Sequence, residues 1–239
     1  MKRHPTRSDN LRRALAQEAA RIMAEHGIRD FLVAKRKAAE RLGVTDGAAL
    51  LPKNSEIESA LAEYQRLFGG ESHLTALQAQ RQAALSAMRY LREFSPRLVG
   101  AVLSGTATLH SEVQLHLFAD RAESVTLKLL DEGIPHEVTE KRMRFNAEQV
   151  RAFPGVRFEI DAQPIEATVF PPDGIRQAPV SPVDGRPMRR ANAFEVDAQP
   201  IEATVFPPEG IRQAPVSPVD GRPMRRASTL EVEALLQQA

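Results

Sequence analysis

The chain has 239 residues, 42% of them hydrophobic but only 5% aromatic, with no Trp, no Cys and a formal net charge of +1. Such a composition excludes a disulfide framework, a thiolate nucleophile and a Cys-based zinc site, and supplies no global field to attract nucleic acid. No apolar run reaches the roughly twenty residues of a membrane span, and the basic start Met1-Lys2-Arg3-His4-Pro5 leads into an amphipathic pattern, so a soluble cytoplasmic protein with no membrane partner is expected.

The first quarter reads as helices. Ser8 or Asp9 is placed to cap a helix running to about His26, with Leu11, Leu15, Ala19, Ile22 and Met23 on one face and Gly27 as its stop. A second helix, over about 30–42, presents Phe31, Ala34, Ala38 and Leu42, with Lys35, Arg36 and Lys37 opposite. Ser55 with Glu58 reads as a capping box for a third helix, which carries Ile57, Leu61, Tyr64 and Phe68 and ends at Gly69-Gly70. A fourth, over about 71–94, carries Leu74, Leu77, Ala84, Met88 and Leu91, and Pro96 terminates it.

Residues 98–103 form an apolar run, Leu-Val-Gly-Ala-Val-Leu, that stops at Ser104-Gly105 and reads as a strand buried on both faces. Residues 112–118 then alternate. Val113, Leu115 and Leu117 point one way; Glu112, Gln114 and His116 point the other. The small-residue connection between the two runs allows backbone amides to approach a ligand closely.

Further along, Asp120 is placed to cap a helix to about Gly133 bearing Val125, Leu127, Leu129 and Leu130. Residues 137–143 alternate weakly as a strand, 145–152 read as a helical turn with Asn146 and Gln149 as a capping box, and Phe153-Pro154-Gly155 reads as a turn. Two strands come next, 156–160 and 165–170, separated by Asp161-Ala162-Gln163-Pro164. On the second, Glu166 shares a face with Thr168 and Phe170.

The Ser104-Gly105 bend, with Glu112-Val113-Gln114 after it, resembles the signature of the nucleotidyltransferase superfamily, of the minimal, polymerase-beta-like kind. That family places a Gly-Ser turn after a buried strand, then an acidic-apolar-acidic pair on the next strand. The resemblance covers roughly 75–190 and implies an α+β fold, a mixed sheet flanked by helices. It implies a nucleoside triphosphate as partner, cradled by Ser104, Gly105 and Thr106, with Gln114 beside it. It also implies magnesium held by Glu112 and Glu166 for in-line nucleotidyl transfer to an unidentified acceptor. Gln114 stands where the second carboxylate belongs, and a neutral amide is a poorer ligand for a hard dication, so the expected activity is reduced or lost. The other reading of Glu166 is a solvent-facing strand residue paired with an arginine.

Two stretches, Ala-Ala-Arg-Ile-Met-Ala-Glu-His-Gly-Ile (19–28) and Ala-Ala-Glu-Arg-Leu-Gly-Val (38–44), resemble the start of tetracycline-repressor-type regulators and imply DNA as an alternative partner. The next stretch, residues 45–52, is bracketed by Gly47 and Pro52 and forms no evident recognition helix.

Residues 158–193 return almost word for word as 194–229: of 36 aligned positions only Ile160/Val196, Asp173/Glu209, Asn192/Ser228 and Ala193/Thr229 differ. One slot in a sheet exists for this strand pair, and the first copy is expected to fill it because its connecting loop is shorter. Each copy continues into a stretch with five prolines and two glycines that cannot hold long regular structure. Within the first, Pro182-Val183-Asp184-Gly185 reads as a β-turn, and Arg186, Arg189 and Arg190 are candidates for phosphate or nucleotide binding, or for solvation and ion pairing. Ser228 with Glu231 reads as the cap of a final helix over 230–237. His110, His116 and His136 share no metal-ligand spacing and read as hydrogen-bonded structural residues.

Three segments are therefore expected: a helical region over 1–70, a nucleotidyltransferase-like domain over 71–193, and a duplicated segment with a terminal helix over 194–239. Three functions are compatible: a magnesium-dependent nucleotidyltransferase, a catalytically inactive nucleotide-binding or scaffold relative, and a DNA-binding regulator.

Overall fold

A computed structural model of the chain describes residues 6–44, 50–146 and 148–197. The chain divides into two units, Met1–Ala198 and Gln199–Ala239, and every described residue belongs to the first. The expected final helix and the remainder of the second copy lie outside the described residues, as does most of the 45–52 segment.

The helix α1 (Arg7–His26) is capped by Thr6 rather than Ser8 or Asp9. Thr6 Oγ1 accepts from the Asp9 backbone N–H at 3.2 Å, and the Thr6 N–H donates back to Asp9 Oδ2 at 3.0 Å. The helix stops at Gly27, whose φ of 66° suits glycine. In α2 (Phe31–Arg41), Asp30 Oδ1 takes the N–H groups of Leu32 and Val33. The third helix, α3 (Asn54–Tyr64), starts with Lys53 N–H donating to Glu56 Oε2 at 2.6 Å, so the expected Ser55–Glu58 box does not form and Glu58 is left to face elsewhere. Leu15, Ala19, Ile22, Ala34, Ala38 and Ile57 from these three helices form one core cluster, each with no exposed surface.

Gly69-Gly70 is a joint and not a gap. A π-helical turn, Gln65–Gly69, runs directly into α4 (Gly70–Tyr90). The buried face of α4 begins at Leu77; Leu74 is exposed, as is Phe68.

Beyond α4 the chain builds a five-stranded mixed sheet: β1 (Arg97–Val99), β2 (Val113–Phe118), β3 (His136–Arg144), β4 (Val150–Ile160) and β5 (Gln163–Phe170), in the order β1-β2-β5-β4-β3. Only β2 and β5 run parallel. One face carries Leu98, Val113, Leu115, Leu117, Ile165 and Ala167 and packs on α4 and on α6 (Glu123–Asp131) through Met88, Val125 and Leu129. Burial of that face is the main stabilising term of the sheet. The architecture is α+β with helices and a mixed sheet, as expected.

Four local expectations are corrected. The apolar run 98–103 is not one strand: β1 ends at Val99, Gly100 turns the chain at φ 74°, and α5 (Gly100–Ser104) comes next. The φ at Gly100 is one that side chains rarely adopt, and a Cβ there would also have to displace the end of the Gln114 side chain. Phe153-Pro154-Gly155 is no turn but lies inside β4. Pairing with β5 starts only at Gly155, which accommodates the missing N–H of Pro154. A side chain at Gly155 would come within 2.7 Å of Thr139 Oγ1 and 2.9 Å of the Ala167 carbonyl. Phe145, Asn146, Glu148 and Gln149 are not helical: Asn146 Oδ1 accepts from the N–H groups of Glu148 and Gln149, and β3 pairs back onto β4. Lastly, Asp120 does not cap α6, which begins after Ala122.

Asp161 and Ala162, at φ 52° and 57°, join β4 to β5 in a tight hairpin. The first copy of the duplication thus supplies the end of β4 and all of β5. Its proline-rich part, 171–192, crosses the other face of the sheet as a strap. Val180 N–H donates to the Arg144 carbonyl at 2.6 Å, Val180 bridges Pro187, and Ala191 pairs with Leu98. The turn at 182–185 is closed by Gly185 N–H donating to the Ser181 carbonyl at 3.0 Å. The second copy opens with α7 (Ala193–Asp197), capped reciprocally by Asn192 and Glu195. No helix among the described residues is long and apolar enough to cross a membrane.

Candidate functional site

The sheet face opposite the helical core carries polar rows. One row runs through all five strands by register: Val99, Gln114, Glu166, Arg157 and Glu137. The next holds Arg97, His116, Thr168, Gly155 and Thr139. Glu112, two residues before Gln114, projects to the same side and reaches Arg157. Glu112 and Glu166 therefore share a face.

Ser104, Thr106, Glu112, Gln114 and Arg189 line one cleft of about 450 Å³ between the sheet, α5, the strap and the end of α1. Gly105, Glu166 and Arg190 do not line it. Gly105 ends α5 at φ 80°. Glu166 lies one hydrogen bond behind Gln114, whose Nε2 donates to Glu166 Oε2 at 3.2 Å. Arg190 sits over Phe118 and Phe170, 5.0 and 5.2 Å from the ring centres, and donates to the carbonyls of Gly174 and Ile175.

Both carboxylates are already engaged. Glu112 pairs with Arg29 at 2.9 Å and Arg157 at 3.6 Å, its side chain only 12% exposed. Glu166 pairs with Lys141 and accepts from Gln114. Both contacts of Glu166 fall on Oε2 and Arg157 stands beyond hydrogen-bond reach of Glu112 Oε1, so these cations compensate the carboxylate charges without saturating their oxygens. Among the described residues no three His, Cys, Asp or Glu side chains gather as a metal-holding group.

The cleft has its own titratable edge. Glu58 is pushed above the ordinary carboxylate range, chiefly by burial and also by Asp184, while hydrogen bonds from Ser104 and Thr106 oppose the shift. Ser104 Oγ and Thr106 Oγ1 lie 2.9 Å apart. Thr106 is pinned from behind, its carbonyl accepting from the buried Gln65 Nε2 at 3.1 Å. Arg186 and Arg189 also line the cleft, and neither has a carboxylate partner among the described residues.

Sequence reasoning missed Arg29, Lys141, Arg157 and Gly100. For Lys141 the signal was present, since Thr139, Lys141 and Met143 alternate along β3. Arg29 carries no such signal: it stands just past a helix stop, and only the tertiary fold brings it to Glu112. The Lys35-Arg36-Lys37 triplet lies on α2, with Lys35 half-buried and depressed by that burial.

Searches against family models, curated proteins and solved structures return no match for this chain.

Proposed function

We propose that this chain is a nucleotidyltransferase-like protein that binds a nucleoside triphosphate in the cleft at Glu112 and has lost most or all metal-dependent transfer. The observation behind the loss of transfer is the pairing of its two site acids, Glu112 with Arg29 and Arg157 and Glu166 with Lys141, while Ser104, Thr106, Arg186 and Arg189 in the cleft support the nucleotide. Arg186 and Arg189 offer guanidinium groups without carboxylate partners among the described residues, suited to phosphate oxygens, and Ser104 and Thr106 offer hydroxyls nearby.

A magnesium ion at Glu112 and Glu166 would sit beside three cationic side chains that already compensate these acids, and Gln114 brings no further negative charge. The donor set as arranged does not fit the ion. An active, magnesium-dependent enzyme stays the second reading because the two glutamates lie on one face of the sheet, within a single network.

Equilibrium dialysis of ATP, CTP, GTP and UTP against the full chain tests the proposal. Binding of at least one of them, weakened about tenfold in Arg189→Gln, is the expected result. Absence of binding to all four contradicts it.

A further inference from the structure

A second cavity, of about 590 Å³, opens on the same sheet face beyond the strap turn. It shares Gln114, Ser181, Pro182 and Met188 with the cleft at Glu112. Its charge is different. Lys141, Arg142 and Arg144 line it and, among the described residues, no Asp or Glu does, although Lys141 also pairs with Glu166 just behind and Arg142 and Arg144 alternate with it along β3; the cleft mixes Glu58, Glu112 and Asp184 with its arginines.

The floor is His116 and Thr168, register partners on β2 and β5 that are 1% and 2% exposed. His116 Nδ1 lies 3.0 Å from Arg190 Nε. A guanidinium only donates, so Nδ1 is the acceptor and the ring proton sits on Nε2. That buried N–H has no partner among the described residues, and neither has Arg190 Nη2. Buried donors left without acceptors are costly, and an acceptor group seated in the cavity would relieve that cost. Val99, Met143, Val180 and Met188 add an apolar wall in which two thioethers adapt to a flat or branched body.

We propose that this cavity binds a small organic anion, a phosphate monoester or a carboxylate carried on an aromatic or aliphatic body. The acidic head lies toward Lys141 and the His116 side, and the body lies against the two methionines. A cavity of this size suits a ligand of that class. The inference goes beyond the nucleotide reading of the cleft and does not depend on it.

Calorimetric titration of the full chain with phenyl phosphate, benzoate, inorganic phosphate and phenol provides the test. Phenyl phosphate or benzoate should bind about tenfold more tightly than inorganic phosphate or phenol, and whichever of the two binds better tells phosphate from carboxylate. Methyl spectra of the methionines in the unmodified chain should show Met143 shifting on titration, a readout that needs no variant. Met143→Glu, which adds a negative charge to the wall, should lose about tenfold with an unchanged melting curve. Arg189→Gln, in the neighbouring cleft, should leave phenyl phosphate binding intact. The proposal is overturned if none of the four compounds binds, if Met143 does not shift, or if Arg189→Gln abolishes binding. That last result would move the ligand into the cleft.

Discussion

Gln114 donates its side-chain amide to Glu166 across the parallel pair of β2 and β5, at 3.2 Å. An acid at 114 would face Glu166 directly and compete with it for Lys141. The amide keeps this row close to neutral without a metal ion. Gln114→Glu should therefore lower stability at pH 7 by about 1–2 kcal/mol through like-charge repulsion, and millimolar magnesium should restore part of it. Thermal melting with and without magnesium measures both effects. A variant as stable as its parent and indifferent to magnesium would remove Gln114 from the explanation.

Gly100 makes the turn that brings α5 beside β2. Its φ is 74°, and a Cβ there would meet Gln114 Oε1. Gly100→Ala should cost about 1–3 kcal/mol, read as a shift of the urea midpoint with unchanged slope. An unshifted midpoint would mean that the turn relaxes freely.

The duplication offers an internal comparison. Phe158 and Phe194 open the two copies with nearly the same residues after them, yet Phe158 is 4% exposed in the sheet core and Phe194 is 83% exposed on α7. Phe158→Ala should cost about 3–5 kcal/mol, and Phe194→Ala should stay within about 0.5 kcal/mol of the parent. Equal costs in denaturant titrations would contradict the assignment of the sheet slot to the first copy.

His116 makes stability depend on pH. Burial above all, then Arg190 and Lys141, pushes it from 6.5 down to about 3. The unfolded chain takes up this proton near pH 6.5, while the folded chain refuses it until about pH 3. Its stabilising contribution is thus fully present above about pH 6.5 and is lost as pH falls toward 3, by up to about 1.4 kcal/mol per unit. His116→Gln should flatten the loss between pH 7 and pH 5 in urea titrations. An identical slope in both proteins would refute the assignment.

Some of this was legible in the residues. The alternation of Val113, Leu115 and Leu117 against Glu112, Gln114 and His116 places one side in the core and the other toward the strap, and the fold agrees: the three apolar residues have no exposed surface. The helix stop at Gly27 and a break between two strands near Asp161 were also readable, because glycine and short polar turns act locally, although the connection is two residues and not the four expected. The run 98–103 misled, since an apolar stretch reports burial without saying whether strand or helix fills it. Pro154-Gly155 misled for the opposite reason. Two turn-forming residues sit in a strand because β3 and β5 crowd that point and only glycine fits. The residues at 104, 106, 112, 114 and 189, which line one cleft, could be picked out in the sequence, but their counter-ions could not. Arg29 and Arg157 reach Glu112 from separate elements, and no local pattern announces such a pair. Phe158 and Phe194 carry the same lesson, since context alone makes one a strand residue and the other a helix residue.

Calorimetry of ATP binding to the full chain, once in a metal chelator and once in excess magnesium, bears most directly on the central claim. The ion pairs at Glu112 and Glu166 predict equal affinity in both conditions, and little change in Glu112→Ala. Binding that appears only with magnesium and vanishes in Glu112→Ala would contradict the account and identify a working metal centre.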